Sequence, residues 1–273
     1  MRVLGDADLA AALAVVGRDP VANVFVGSRL ETVGLDPRRL GAEVWGWSDG
    51  DGLAALCYSG ANLVPVETGA DAARAFAERA RRQGRHCSSI VGPRHAVEAI
   101  WHELAPHWGR ARDVRTQPLM ATATPPTFPR DPLVRRVQAD EIDVLLPACI
   151  AMFTEEVGVS PTVGDGGALY RARVAELIAE GRSFARFEGD RVVFKAEIGA
   201  VTRSACQVQG VWVDPTRRGE GLSVAGMASV LDEVLRSVAP MATLYVNDFN
   251  HAARAAYERV GFDYVGEFVS VLF

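Results

Sequence analysis

The second half of the chain alternates between two hydrophobic periodicities, which predict helices and strands in mixed order. Apolar residues spaced three to four apart predict amphipathic helices, and short runs of β-branched and aromatic residues predict strands. The predicted helices are 140–158, 168–181, 222–238 and 251–261, and the predicted strands are 133–137, 183–188, 191–201, 205–213, 243–247 and 264–273. This alternation is typical of an α/β fold.

The first half repeats that order more faintly. A helical start is followed by predicted strands within 42–47, 52–66 and 87–92, predicted helices at 71–84 and 94–109, and an extended segment at 112–122. It contains no Arg-Gly-x-Gly turn between a strand and a helix. We therefore interpret the first half as a degenerate copy of the second.

A proline-rich stretch separates the two halves. The sequence ATATPPTFPRDP, residues 121–132, contains four prolines. Proline lacks an amide donor and biases the preceding residue towards extended backbone, so this composition predicts a linker. The length of 273 residues suits two domains. The sequence thus predicts a domain at 1–120, a linker at 121–132 and a domain at 133–273.

Composition and charge narrow the range of partners. The hydrophobic fraction of 49% and the charged fraction of 23% are typical of a soluble globular protein. The formal net charge of −5 does not favour nucleic acid as a partner. Residues 1–128 carry 14 basic and 14 acidic side chains, so the whole deficit lies in the second half. That acidity suits a cationic amine substrate and equally suits ordinary surface charge.

The cysteines and the apolar runs bear on location. Cys57, Cys87, Cys149 and Cys206 form no C-x-x-C pair and have no histidine pair nearby, which predicts free thiols and no metal site. Acidic residues precede the first apolar run, unlike a signal peptide. No apolar run approaches the roughly 18 residues of a membrane span. We expect a cytoplasmic protein without a membrane partner.

The stretch with the clearest chemistry joins a predicted strand to a predicted helix through two glycines. The sequence VWVDPTRRGEGLS ends at Ser223, and exposed amides at such a helix start form an anion cradle. A P-loop would need a lysine after its last glycine, which this sequence lacks. A dinucleotide fingerprint would need Gly or Ala where Val224 stands. The turn therefore predicts a phosphate site of a third kind.

Two motifs resemble those of the GCN5-related N-acetyltransferase (GNAT) family. RGEGLS, residues 218–223, resembles the family turn Arg/Gln-x-x-Gly-x-Gly/Ala, with Ser223 in place of the last Gly or Ala. NHAARAAYERVGF, residues 250–262, matches the family helix Asn-x-x-Ala-x-x-x-Tyr-x-x-x-Gly-Phe at every position. The resemblance covers about 131–273, and the whole chain is similar to two-part proteins of actinobacterial type.

The resemblance implies tandem GNAT-like domains, the second with a mostly antiparallel central sheet flanked by helices. It implies transfer of an acetyl group from acetyl-CoA to a primary amine, directly and in a ternary complex. The turn amides would hold the pyrophosphate, and the preceding strand would pair with the pantetheine arm. The implied acetyl-CoA residues are Val211, Trp212, Val213, Arg218, Gly219, Glu220, Gly221, Leu222, Ser223, Asn250, Ala253 and Tyr257.

Tyr257 is the first predicted catalytic residue. It lies one turn beyond Ala253 and about two turns beyond Asn250, so the three can share one helix face. The resemblance implies that its phenol protonates the departing thiolate, while Asn250 hydrogen-bonds the cofactor. A strand amide near Val211 would hold the oxyanion.

The general base is the second predicted catalytic residue, and here the sequence leaves alternatives open. Family members often place a glutamate on the strand where this chain has Gln207 and Gln209. A hairpin centred near Thr202 would put Glu197 opposite Gln207, so we expect Glu197 to be the base. The alternatives are a chain of waters or one of two carboxylates in the region that often lines the acceptor site, Glu155 and Glu156.

The amine acceptor is either a small molecule or a protein amine, since acceptor pockets in this family are built from variable segments. A homodimer is one candidate assembly. The principal rival hypothesis is a non-catalytic acyl-CoA-binding sensor or scaffold, which the missing strand glutamate favours. An aminoacyltransferase or other acyltransferase on a tandem fold of this type is a third.

Overall fold

The computed structural model of the protein describes residues 1–50, 52–164 and 166–273. The helices are α1 (Leu9–Val16), α2 (Val24–Val33), α3 (Pro37–Leu40), α4 (Ala70–Gln83), α5 (Arg94–Trp108), α6 (Ile142–Val157), α7 (Ala168–Ala179), α8 (Leu222–Ser237) and α9 (His251–Val260). The strands are β1 (Arg2–Val3), β2 (Glu43–Ser48), β3 (Leu53–Ser59), β4 (Asn62–Val66), β5 (Ser89–Pro93), β6 (Asp113–Thr122), β7 (Arg135–Arg136), β8 (Ser183–Glu188), β9 (Arg191–Val201), β10 (Cys206–Val213), β11 (Ala242–Tyr245) and β12 (Asp263–Leu272).

The chain folds into two compact units. The first contains residues 1–120, 245–250 and 264–273, and the second contains 121–244 and 251–263. The helices and strands agree with the sequence prediction within a few residues at most ends. The exception is the strand predicted at 133–137, which is reduced to the two residues of β7.

The first unit is a sheet covered by helices on both faces. Its strands follow the order β1-β2-β3-β4-β5-β12-β6. Neighbouring residues on a strand point to opposite faces: Trp45 packs in a core cluster with residues of α4 and α5, and Val44 packs in another with residues of α1 and α2. The short, doubly buried strands thus follow from the continuous apolar runs seen in the sequence.

The division into units differs from the predicted domain boundaries at both ends of the second domain. The terminal strand β12 runs antiparallel to β5 of the first unit, with Val271 opposite Ile90. The proline-rich stretch packs on the second unit, where the Asp131 carboxylate accepts a hydrogen bond from Arg186 at 2.8 Å. Composition along the chain does not encode such long-range pairing, which explains the difference.

The second unit has a mostly antiparallel sheet in the order β7-β8-β9-β10-β11, as expected, with only β10 and β11 parallel. On one face, Cys149 of α6 and Val174 of α7 share a core cluster with Val192. On the other face, α8 approaches Phe194 at Gly226. The fold class predicted from the sequence, a mixed α/β sheet flanked by helices, is confirmed.

The close approach at Gly226 supplies a stability test. A Cβ atom there would lie 2.7 Å from two ring carbons of Phe194, whose side chain is fully buried. Alanine normally gains up to about 1 kcal/mol over glycine inside a helix, but overpacking costs about 1–3 kcal/mol. We predict that Gly226→Ala lowers the free energy of unfolding, measured by urea denaturation. The loss should shrink in a Phe194→Leu background, and a stabilised Gly226→Ala protein would refute this packing account.

Candidate active site

The glycine turn lies between β10 and α8 and presents an open backbone surface. The turn begins at Asp214, whose carboxylate accepts hydrogen bonds from the amide and hydroxyl of Thr216. Gly221, with φ +81°, precedes α8, and no side chain caps that helix start. A Cβ atom at Gly219 or Gly221 would meet nothing within 4 Å. Because the first amides of a helix have no partner within the helix, this surface can accept an anion.

Two arginines flank the turn, and both are paired with carboxylates. Arg217 contacts Glu220 at 2.7 Å and also pairs with Glu188. The hydrogen bonds that the Arg217 guanidinium donates to these two carboxylates, Glu220 first, raise its pKa. Arg218 contacts Glu155 at 2.6 Å, with about half of each side chain exposed. Exposed pairs of this kind contribute roughly 0–1 kcal/mol, so a phosphate can displace the carboxylate at low cost.

Glu155 has a second partner, because its other oxygen accepts a hydrogen bond from the indole nitrogen of Trp212 at 3.1 Å. The carboxylate thus links the end of α6 to the strand and the turn of the predicted acetyl-CoA site. Glu155, one of the alternative bases, therefore lies beside two residues predicted to bind acetyl-CoA, Trp212 and Arg218.

The strand leading into the turn contains a bulge that the sequence analysis did not anticipate. Gln209 lies opposite Glu197 and Trp212 lies opposite Lys195, so Gly210 and Val211 together face a single residue of β9. Gly210 has φ +58°, a value that suits the glycine position of a bulge. An isolated glycine inside a strand was the available signal.

Beyond its first residues, β10 leaves its parallel neighbour. The pairing with β11 joins Cys206 to Ala242 and Gln207 to Thr243, whereas β10 continues to Val213. The bulge therefore lies in the part of β10 that extends past this pairing, where backbone groups can face a ligand.

The pairing of Glu197 also corrects the sequence prediction. The hairpin of β9 and β10 exists, but Glu197 lies opposite Gln209, and Gln207 lies opposite Ala200. The predicted register with a centre at Thr202 is wrong, because the turn closes around Thr202 and Ala205 and the register shifts between Gln207 and Val208. A single inserted residue changes every pairing after it.

A buried ionic cluster lies beneath the bulge. Lys195 is fully buried, and its ammonium donates to Glu197 Oε1 at 2.5 Å and to the Gly210 carbonyl at 3.1 Å. Glu197 is 5% exposed. The thiol of Cys149 lies 3.8 Å from the same Glu197 oxygen, and the Tyr170 hydroxyl donates to the Cys149 carbonyl at 3.0 Å.

The electrostatics of this cluster follow from burial and pairing. Burial acts to lower the pKa of Lys195, but its interactions with Glu197 and then with Cys149 outweigh burial, and the pKa is raised. Burial, with a further contribution from Glu197, raises the pKa of the Cys149 thiol to about 11. The cluster therefore contains a lysine ammonium and a neutral thiol around neutral pH.

Tyr257, on α9, is a buried phenol. It is 6% exposed, and its ring meets that of Phe262 edge-on at 6.2 Å. Burial, followed by the negative charge of Glu156, raises the pKa of the Tyr257 hydroxyl. The phenol stays protonated at neutral pH, so it can donate a proton and cannot act as a base.

The remaining predicted residues of this helix are divided between the two units. Ala253 lies on α9 in the second unit, one turn before Tyr257. Asn250 lies in the 245–250 segment of the first unit, directly before α9 in sequence, and its amide donates to the Asn247 carbonyl at 2.9 Å. Of the predicted site, all members except Asn250 belong to the second unit.

The described residues also bear on metal binding and on membrane insertion. Among residues 1–50, 52–164 and 166–273, no group of three or more His, Cys, Asp or Glu side chains is placed to hold a metal ion. No helix in the described part of the chain is both long and apolar enough to cross a membrane.

The buried pair yields a prediction on stability. Lys195→Met leaves Glu197 buried without its cation, a change that costs about 3–5 kcal/mol. Replacing both residues by methionine removes both charges and should recover most of that loss. Urea denaturation of the single and double variants measures this difference. A single variant that unfolds at the wild-type urea concentration would contradict the buried pairing.

Two segments of the chain match the sequence models of known families. Residues 42–145 match the sequence model of a domain of unknown function, DUF4081, and residues 164–262 match that of the acetyltransferase (GNAT) family. The search of curated proteins gave no match.

Several solved structures resemble the chain over almost its full length. A GNAT-family acetyltransferase from Colwellia psychrerythraea is 11% identical, with a TM-score of 0.56, covering 100% of this chain and 98% of that one. A GCN5-related N-acetyltransferase from Sphaerobacter thermophilus is 18% identical, with a TM-score of 0.61 and coverage of 98% and 93%. A tandem GNAT protein from the clavulanic acid biosynthesis pathway is 13% identical, with a TM-score of 0.57 and coverage of 99% and 97%.

These structural likenesses establish the fold, and the family match covers both the glycine turn and the Tyr257 helix. The resemblance stated from those two motifs is thereby confirmed. Residues 164–262 thus match the GNAT family, and a segment that matches DUF4081 precedes them in the chain.

Proposed function

We propose that the protein is an acetyl-CoA-dependent N-acetyltransferase that acts on a primary amine by direct transfer in a ternary complex. The observation that carries the proposal is the continuous stretch from Gln209 to Ser223, in which a bulged strand leads into an open glycine turn at a helix start. This order brings an oriented strand amide and an anion-binding turn within one segment.

The turn supports binding of the donor through its backbone. The amides of Gly219, Gly221, Leu222 and Ser223 would bind the pyrophosphate, assisted by the positive end of the α8 dipole. Serine is small and common at helix starts, so Ser223 keeps its amide accessible. Arg218 would exchange the Glu155 carboxylate for a phosphate oxygen.

Other predicted contacts follow the pantetheine arm. Main-chain groups of 211–213 would pair with it where β10 extends past β11, and Trp212 would keep its indole nitrogen on Glu155. Ala253 supplies a small surface on α9, and Asn250 supplies an amide side chain. Glu220 lies on the turn, where its pairing with Arg217 holds the loop.

The chemistry needs a proton acceptor, an oxyanion donor and a proton donor. Acetyl-CoA supplies the activated thioester carbonyl. We assign the oxyanion donor to the Val211 amide, and we assign proton transfer from the amine to Glu197 through a water, since this carboxylate is buried. The Tyr257 phenol then protonates the thiolate as the carbon–sulfur bond breaks and the carbon–nitrogen bond forms.

The acceptor is a small-molecule amine or a protein amine. Glu155 and Glu156, at the end of α6, and the buried Glu197 make a carboxylate-rich surrounding that favours a cationic amine. Glu155 pairs with Arg218 and Trp212, and the Glu156 charge acts on Tyr257. Both carboxylates are kept as alternative bases, and a homodimer is the candidate assembly.

Donor binding can be tested at the turn. Gly221→Glu places a side chain and a negative charge where the pyrophosphate binds, and each lost hydrogen bond to a charged group costs about 1.5–3 kcal/mol. We predict at least about 100-fold weaker CoA binding in equilibrium dialysis. Gly189→Glu is the matched control, because Gly189 also has positive φ and open space around its Cβ position. Equal affinity in wild type and Gly221→Glu would refute the cradle.

The second test separates an enzyme from a non-catalytic acyl-CoA sensor, which the glutamines at Gln207 and Gln209 favour. General acid catalysis contributes about 10²–10⁴-fold, so Tyr257→Phe should lower kcat by about 100-fold or more at unchanged CoA affinity. Tyr58→Phe is the control, since Tyr58 is equally buried at 6% exposure. A panel of polyamines, amino sugars and peptides is assayed by thiol release. An absence of any amine-dependent thiol release from the wild type would favour the sensor.

A further inference from the structure

The chain contains a single lysine. The 29 basic residues are 28 arginines and Lys195, and that lysine is fully buried within β9. Arginine carries five donors on a planar group, whereas lysine carries three on a compact ammonium. The one lysine of the chain thus places a compact ammonium inside the sheet.

Glu197 and Gly210 pack closely against this ammonium. It donates to Glu197 Oε1 at 2.5 Å and to the carbonyl of Gly210 at 3.1 Å. A Cβ atom on Gly210 would lie 3.2 Å from the Lys195 nitrogen and 3.1 Å from the Glu197 carboxyl carbon. The bulge glycine, the ammonium and the carboxylate therefore form one closely packed unit.

The hydrogen bond to Gly210 fixes the orientation of the next amide. The described peptide bonds are all trans, and in a trans peptide the carbonyl and the following N–H point in opposite directions. Because the Gly210 carbonyl points at Lys195, the Val211 N–H points away from the buried cluster. Val211 is the residue whose amide is assigned to the oxyanion.

The hydrogen bond to Glu197 pairs the ammonium with a buried carboxylate. The titratable groups that face this carboxylate are the ammonium of Lys195, the thiol of Cys149 and the phenol of Tyr170. Of these neighbours Lys195 is the cation, so its ammonium supplies the opposite charge and the hydrogen bond that a buried carboxylate needs.

We propose that Lys195 is a positioning residue for acyl transfer: its ammonium orients the Gly210–Val211 peptide towards the oxyanion and holds the Glu197 carboxylate in place beneath that peptide as the proton acceptor. This inference rests on the proposed function. It assigns to one buried side chain the coupling between the electrophilic and the basic halves of the site.

The single lysine allows a direct measurement without a substrate. Protein labelled with [13Cε,15Nζ]-lysine gives one lysine side-chain NMR signal in the full chain. We expect the signal of a protected ammonium that stays charged from pH 6 to 9.5. Glu197→Gln should lower the pH at which the signal titrates. A wild-type lysine that becomes neutral below pH 9, or a titration unaffected by Glu197→Gln, overturns the proposal.

Kinetics then separate positioning from mere structural support. Lys195→Met should lower kcat by about 100-fold while KM for acetyl-CoA changes less than about threefold. Arg186→Met is the matched control, because it breaks a different ion pair, the partly buried one with Asp131, and should leave kcat unchanged.

The proposed function and the positioning role of Lys195 can be contradicted independently. If the wild type acetylates amines and Lys195→Met keeps the wild-type kcat, the positioning role is overturned and the proposed function stands. If the wild type acetylates no amine of the panel, the proposed function is overturned and the inference with it, while the NMR titration still reports the charge of Lys195. A Lys195→Met protein that fails to fold leaves the decision to that titration.

Discussion

A charged ammonium buried within a β-sheet is the constraint on which the second unit depends. Removing such a charge from water costs several kcal/mol unless hydrogen bonds and an opposite charge compensate. Lys195 finds both, in the carboxylate of Glu197 and the carbonyl of Gly210. Satisfying the ammonium requires a bulge in β10, and the bulge reorients the backbone just before the glycine turn. Electrostatics in the core thus determine backbone geometry at the site.

The turn differs from the core, because its charged side chains lie near the surface and can exchange their partners. Arg217 and Arg218 are paired with carboxylates near the surface, where ion pairs contribute little. The backbone amides at the start of α8 remain accessible, with Gly221 in place of a capping side chain. In the proposed mechanism, the buried ionic cluster orients the catalytic groups, and the paired arginines at the surface give way to a phosphate.

Local features of this fold could be predicted from the sequence, and long-range ones could not. The glycine turn and the Tyr257 helix are each contiguous in sequence, so the family resemblance could be recognised there, and the family match covers both. The opposition of Glu197 to Gln209 depends on where the turn closes and on one register shift, between Gln207 and Val208. The pairing of β12 with β5 joins segments almost 180 residues apart. Neither pairing produces a periodic pattern in the sequence, although Gly210 inside a predicted strand is a signal for a bulge.

The most direct test of the account is a crystal structure of the protein with acetyl-CoA, or with a non-hydrolysable thioether analogue. The account predicts pyrophosphate oxygens about 3 Å from the amides of 219–223, and the acyl oxygen at the same distance from the Val211 amide. Lys195 should still contact the Gly210 carbonyl. A pyrophosphate bound elsewhere, or an acyl group remote from Val211, would contradict the central claim.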